Sequence, residues 1–285
     1  GSMGDVTDER SFRVIQRALE LGMTFIDTAE GYGRGRSETI IGRAIKDERD
    51  KVFLATKVFG RPLNRQRIEH AIHSSLLRLG TDYIDLYQIH WPDPSTPVEE
   101  SIRVIDDLIR AGKVRHAGVS NFDISLLQRA ISVRPIASNQ MPYSLLDREI
   151  ENEIMPFCKA NGIAIIPYSP LGKGLLTGKF NLKTSFPTTD ARSRMSGFQK
   201  EKYESNLRVA QGVQQMAQDK GVRSSQIAIA WTLQREEVAS CIPGATQPIQ
   251  CDENARAADI TFTQHELALL DELSRKAAGG TEVRF

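Results

Sequence analysis

Cysteine is scarce in this chain. Cys158, Cys241 and Cys251 make up the whole complement, and none stands in a CxxC pair, so neither a disulfide framework nor a zinc knuckle is supported. A reducing compartment is the expectation. Long apolar runs are also lacking, since no stretch approaches the ~18 uninterrupted apolar residues of a membrane helix. The opening Gly1-Ser2-Met3-Gly4, followed by Asp5-Val6-Thr7-Asp8-Glu9-Arg10, has no apolar h-region of a signal peptide. A cytoplasmic protein without a membrane partner is therefore expected. An excess of one charge is missing too: 37 Lys and Arg stand against 36 Asp and Glu, a net +1, too balanced for a phosphate-neutralising surface. No nucleic-acid partner is expected. Finally, no Pro/Ser-rich junction divides the chain, which points to one domain over residues 1–285.

What is present is a rhythm. Short β-branched or apolar runs alternate with amphipathic helical stretches, the pattern of repeated βα units around a parallel sheet. After a first helix near residues 8–21, seven strand-like runs appear at Thr24–Ile26, Val52–Ala55, Tyr83–Ile89, Val114–Val119, Ile136–Gln140, Ile163–Ile166 and Val238–Ile242. Gly80 and Gly112 stop the helices that end in Leu79 and Ala111. The stretch from about Lys173 to Lys202 carries no clear period and reads as a long loop, a candidate substrate wall.

In a parallel α/β barrel the reactive groups sit at the C-terminal ends of strands. Here the apolar runs end in Asp27-Thr28-Ala29-Glu30-Gly31-Tyr32-Gly33, Thr56-Lys57, His90-Trp91-Pro92, Ser120-Asn121-Phe122, Asn139-Gln140 and Tyr168-Ser169-Pro170-Leu171-Gly172. An acid, a phenol, a cation and an imidazole thus share one rim. Taken singly, each has a plain structural alternative: Tyr32 as a turn residue between glycines, Asp27 as a loop acceptor, Lys57 as a solvated strand end, His90 as a satisfied loop histidine. His70 and His73, three apart on a helix, suggest a solvated face rather than metal ligation. No metal is expected.

In order and composition these six motifs resemble the aldo-keto reductase family, with the likeness running from about Thr7 to about Leu273. The resemblance implies a (β/α)8 barrel that reduces aldehydes and ketones with a nicotinamide cofactor. Its catalytic tetrad falls on Asp27, Tyr32, Lys57 and His90. Tyr32 would be the general acid, since hydride reaching a carbonyl carbon leaves charge on oxygen. Lys57 would lower the phenol's pKa from its ordinary ~10. Asp27 would hold Lys57, and a neutral His90 would hydrogen-bond the carbonyl oxygen. By the same resemblance Ser120, Asn121 and Gln140 would meet the nicotinamide carboxamide and Tyr168 would stack on the ring. Ser169, Leu171 and Gly172 would line the pyrophosphate. The segment from Gly244 through Thr246 and Gln250 to Glu253 and Asn254 would take the adenosine phosphate, with Glu253 and Asn254 on the adenine. NADP is implied by family habit; Thr246, Gln247 and Gln250 are uncharged where many members carry Lys or Arg, which leaves NAD use open, with Arg256 lying further along.

Two phosphate motifs fail on spacing. Gly31-Tyr32-Gly33-Arg34-Gly35-Arg36 lacks the last glycine of GxGxxG, and Phe180 stands where a P-loop needs Ser or Thr. A further departure lies at the start, because the family opens with a hairpin and a first barrel strand that this chain lacks, so the domain reads as N-terminally incomplete. The barrel is then expected to expose edges at Phe25-Ile26 and at Ala239–Ile242, unless another segment closes the gap. The partner expected is a small-molecule carbonyl substrate, with Phe59, Trp91 and Tyr143 as candidate pocket walls. A different class stays open, a cofactor-binding redox-sensing subunit like the potassium-channel β-subunits. The sequence carries no signal for oligomeric state.

Overall fold

Among the described residues, six strands, all parallel and paired in chain order, form the sheet. The computed structural model describes residues 6–278; the opening Gly1-Ser2-Met3-Gly4 lies outside the described residues. The elements are α1 (Asp8–Glu20), β1 (Phe25–Asp27), α2 (Arg36–Ala44), β2 (Phe53–Val58), α3 (Arg65–Leu79), β3 (Ile84–Ile89), α4 (Val98–Arg110) and β4 (Val114–Ser120). They continue with α5 (Ile124–Ile131), β5 (Ser138–Pro142), α6 (Ile154–Ala160), β6 (Ala164–Tyr168), α7 (Lys200–Lys220), α8 (Ser224–Thr232), α9 (Pro248–Ala255) and α10 (Gln264–Ala278). Local signals set the helix ends. Asn64 accepts from Arg67 N at 3.0 Å and Asp123 from Leu126 N at 2.8 Å, each satisfying an otherwise orphaned first-turn amide. Gly80 closes α3 with φ 64° and Gly112 follows α4 with φ 72°, left-handed positions that cost other residues strain.

Each strand sends alternate side chains to opposite faces. Outward, Leu54, Tyr87, Val119 and Ile165 meet helix residues such as Ile68, Ile72, Ile102, Ile105 and Leu127 in the main core. Helix α4 shows how this works: Val98, Ile102, Ile105 and Leu108 are buried at helical spacing. Inward, Ala55, Leu86 and Ile166 pack with Phe25, Ala137 and Ile242. Above that layer, Gln140 on β5 reaches Asp27 on β1, so the sheet curls until its first and fifth strands meet across the interior.

The seventh run differs from its expectation as a strand. Residues 237–242 follow β6 through one bridge, Ile165 with Val238, and through hydrogen bonds from Ile165 N to Glu237 O, Ala239 N to Ile165 O and Ile242 N to Pro167 O. One isolated bridge with a few spaced hydrogen bonds does not make the continuous ladder of a parallel strand. At the other edge, β1 pairs only with β2 among the described residues. The seam between these edges is spanned from outside by α1, which packs on both α2 and α9. Arg17 Nε donates to both carboxylate oxygens of Asp252 at 3.1 Å, and Cys251 Sγ approaches Val14 O at 3.4 Å. Aromatic surface remains at the N-terminal ends of the strands, where Phe53 is exposed and its ring stacks between Phe25 and His116 at 5.5 and 6.2 Å.

The aperiodic stretch from Lys173 is ordered by aromatic packing rather than by helix period. Short 3-10 turns at Gly172–Thr177, Ala191–Arg194 and Ser196–Phe198 lead into α7. Phe198 and Tyr203 cluster with Leu175, Leu207, Phe180 and Phe186. Phe186 meets Phe180 and Phe198 edge to face at 5.2 and 5.1 Å. Such contacts depend on rings brought together from across the loop, which no local pattern encodes.

Candidate active site

Asp27 ends β1, Lys57 lies on β2 and His90 directly follows β3. Tyr32 sits five residues past the end of β1, at the start of a kinked 3-10 segment, with Tyr32 N donating to Ala29 O at 3.0 Å. Gly33 and Gly35 hold φ of 59° and 89°, and Arg34 between them also lies at φ 56°. The glycines allow the tight reversal that turns the phenol back over the barrel mouth. All four predicted catalytic side chains therefore meet.

Lys57 is completely buried, and its ammonium is held by the Asp27 carboxylate and by the Thr28 carbonyl, to which Nζ donates at 2.8 Å. Burial pulls the Lys57 pKa down, opposed by Asp27. The other oxygen of Asp27, Oδ1, accepts from Gln140 Nε2 at 2.9 Å and from Gln88 Nε2 at 3.2 Å. Both carboxylate oxygens are thus engaged, as a buried charge requires.

The Tyr32 ring lies 5.1 Å from Lys57 Nζ, measured to the ring centre, and meets His90 edge to face at 5.6 Å. Against the expected lowering, desolvation, helped by the Asp27 charge, pushes the Tyr32 phenol up to about 12. His90 moves the other way, down to about 4, through burial and then through repulsion by Lys57. Its imidazole is neutral at physiological pH. His90 Nδ1 is buried without a hydrogen-bond partner among the described residues.

Phe59 forms one wall, its ring edge-on to His90 at 5.6 Å. Glu30, ion-paired with Arg67, accepts from Phe59 N at 2.7 Å and so fixes that wall. Phe59 and Trp91 keep 49% and 47% of their surface, and Tyr32 keeps 42%, so an apolar mouth opens at the tetrad. Tyr143 is no part of it. That ring is fully buried and stacks on Trp231 at 5.3 Å, a core position.

Of the residues expected on the cofactor, Ser120 Oγ donates to Gln140 O at 2.8 Å, and Asn121, left-handed at φ 63°, donates to His90 O at 3.2 Å. Tyr168 OH donates to Asn121 Oδ1 at 3.0 Å. Ser169 and Gly172 are left-handed at φ 55° and 54°, with Leu171 between them and Lys173 Nζ 3.3 Å from Ser169 Oγ. Further round, Gln250 Oε1 accepts from Thr246 N at 2.7 Å and Gln247 N at 3.1 Å, capping α9 just beyond Gly244. Asn254 is buried. Glu253 borders a hollow of about 420 Å³ with Arg223, Gln226, Ile249 and Arg256, and Arg223 Nε is 3.5 Å from Glu253 Oε1. Sequence reading missed Glu30 and assigned no role to Gln88; the signal for Gln88 was an amide among the apolar residues of the Ile84–Ile89 strand.

The sequence model of the Aldo/keto reductase family matches residues 1–275. The chain belongs to that family. This aldo/keto reductase is 40% identical over 264 residues to aldo-keto reductase YhdN of Bacillus subtilis, covering 88% of this chain and 80% of that protein. It is 33% identical to aldo-keto reductase yakc [NADP(+)] of Schizosaccharomyces pombe, over 98% of this chain and 86% of that one. Among solved structures, the glycerol dehydrogenase AKR11B4 from Gluconobacter oxydans superposes with a TM-score of 0.91 at 33% identity, over 100% of this chain and 90% of that one. An aldo/keto reductase from Klebsiella pneumoniae, in complex with NADP and acetate, gives 0.80 at 30% identity, over 94% and 86%. As a member of this family the protein is an oxidoreductase. Among the described residues no helix is long and apolar enough to cross a membrane.

Proposed function

We propose that this protein reduces small aldehydes or ketones to alcohols with NADPH, Tyr32 supplying the proton. The observation that carries the reading is the meeting of Tyr32 and His90 at an exposed apolar mouth, above the buried Asp27–Lys57 pair. Support for the cofactor comes from the NADP(+) in the name of the S. pombe relative and from the NADP complex of the K. pneumoniae structure.

The rim suits such a group. Asn121 tethers the Tyr168 hydroxyl and so steadies its ring as a stacking surface. Left-handed Ser169 and Gly172, with the Lys173 ammonium beside them, offer donors to phosphate oxygens. The hollow between Arg223, Gln226 and Glu253 would receive the adenosine end. When bound, the cofactor supplies the hydride. Everything else falls to the chain. An unpartnered buried lone pair costs less than an unpartnered buried N–H, so His90 carries its proton on Nε2 and offers it to the carbonyl oxygen. Tyr32, protonated throughout the neutral range, transfers its proton as that oxygen gains charge. Lys57, anchored by Asp27, keeps a positive charge against the phenol ring and eases the departure of that proton.

The test is titration with NADPH and NADH followed by an aldehyde panel on the same preparation. Saturable binding with turnover of at least one aldehyde supports the reading. Tight binding with negligible turnover would instead favour a redox-sensing subunit, and absence of binding would remove both.

A further inference from the structure

We propose that Gln88 is a positioning residue for this reaction, one that acts through Asp27 and keeps its carboxylate on Lys57, in the space that Gly118 leaves open. The inference rests on the function proposed above.

Strand β3 is buried at every position, and below Gln88 the inward layer is apolar, built of Leu86, Ala55 and Ile166. A leucine at 88 would extend that layer without polar atoms to satisfy. Gln88 instead buries a primary amide completely, which is costly unless its hydrogen bonds are made. They are made toward one target. Gln88 Nε2 donates to Asp27 Oδ1 at 3.2 Å, and Gln88 Oε1 accepts from Gln140 Nε2 at 3.5 Å, the same amide that donates to Asp27 at 2.9 Å. Two amides from two strands therefore grip one carboxylate oxygen while Lys57 holds the other.

The neighbouring strand is cleared for this arrangement. Gly118 pairs with Gln88 in register, and a Cβ at 118 would lie 2.9 Å from Gln88 Cγ, 2.9 Å from Leu86 Cδ1 and 2.8 Å from Ser138 Oγ. A side chain at 118 would crowd the stem of Gln88, so the glycine leaves the space that the stem occupies. Since burial draws Lys57 toward its neutral form and Asp27 opposes it, a carboxylate stripped of a donor takes the shared proton more readily. The positive charge beneath the Tyr32 ring is then lost.

The experiment compares the parent with Gln88→Met and Gln88→Leu, both close in volume and without a donor. Thermal unfolding, NADPH titration, the pH profile of kcat and crystal structures are measured for each. The expected result is NADPH affinity within about threefold and unfolding within a few degrees. A charge-assisted hydrogen bond contributes about 1.5–3 kcal/mol, so kcat should fall about tenfold or more. The alkaline limb of the profile, where Lys57 loses its charge, should move to lower pH, and Asp27 should be displaced from Lys57. A packing role alone would lower the unfolding temperature and leave the profile in place. An unchanged profile with Asp27 still on Lys57, in either folded variant, overturns the proposal for Gln88. A parent that reduces no aldehyde overturns the proposed function instead, and the position of Asp27 in the variant crystals then decides the role of Gln88.

Discussion

The ammonium of Lys57 rests on the carboxylate of Asp27, while the ring of Tyr32 stands 5.1 Å away over that same ammonium. Lys57 is thus a fixed charge beneath the phenol rather than its hydrogen-bond partner. The hydroxyl of Tyr32, pushed up to about 12 by burial, stays protonated at neutral pH. The consequences can be measured.

Tyr32→Phe removes the proton donor and keeps the ring that packs on His90. Carbonyl reduction should fall by roughly 10²–10⁴-fold, the usual contribution of a positioned acid, with NADPH affinity within a few-fold. Parallel kinetics and fluorescence titration check this. Parent-like turnover would take the acid role away from Tyr32.

His90 titrates near 4 in the folded protein against an ordinary 6.5. Above 6.5 the imidazole is neutral in both states and ionisation favours neither. As pH falls from 6.5 through 4, the unfolded chain takes up the proton first, so folded stability declines by roughly 2–3 kcal/mol across that window. Thermal unfolding between pH 7 and 4 should show this slope, and His90→Asn should flatten it. Parallel slopes in the two proteins would contradict the assignment.

Asp147 carries the opposite sign. Burial, then the charge of Glu149, raises its carboxyl from 3.8 to about 7, against Lys202 and Lys173. The folded state holds this proton more tightly, so its stabilising contribution is complete below 3.8 and lost as pH rises through 7. Allowing for solvent screening, Asp147→Asn should therefore stabilise the protein by roughly 2–3 kcal/mol at pH 8 and hardly at pH 4. Denaturant midpoints at the two pH values decide.

Thr246 gives its amide to Gln250 Oε1 at 2.7 Å, and no cation occupies 246, 247 or 250. Discrimination between NADPH and NADH should be modest in the parent. Thr246→Lys should strengthen NADPH alone by about one to two decades, the effect of a charge-assisted contact of ~1.5–3 kcal/mol. Strong NADPH preference in the parent would point to Arg223 or Arg256 at the neighbouring hollow.

The order of βα units, the helix stops at Gly80 and Gly112, and the placing of Asp27, Tyr32, Lys57 and His90 on one rim were legible in the sequence alone. These follow from periodicity and from what succeeds each apolar run, both local properties of the chain. Only the tertiary structure decided the rest. It withheld full strand status from residues 237–242, because a single isolated bridge to β6 does not make a ladder. It sent Tyr143 into the core against Trp231, since an aromatic at a strand end reads alike as wall or packing until its partner is known. It raised the Tyr32 phenol, because the burial of that ring and the Asp27 charge near it arise only once the fold brings these segments together. It also brought Gln88 and Gln140, from β3 and β5, onto a carboxylate of β1. A buried amide acquires its meaning from the charge it touches, and that contact exists only once the sheet has curled.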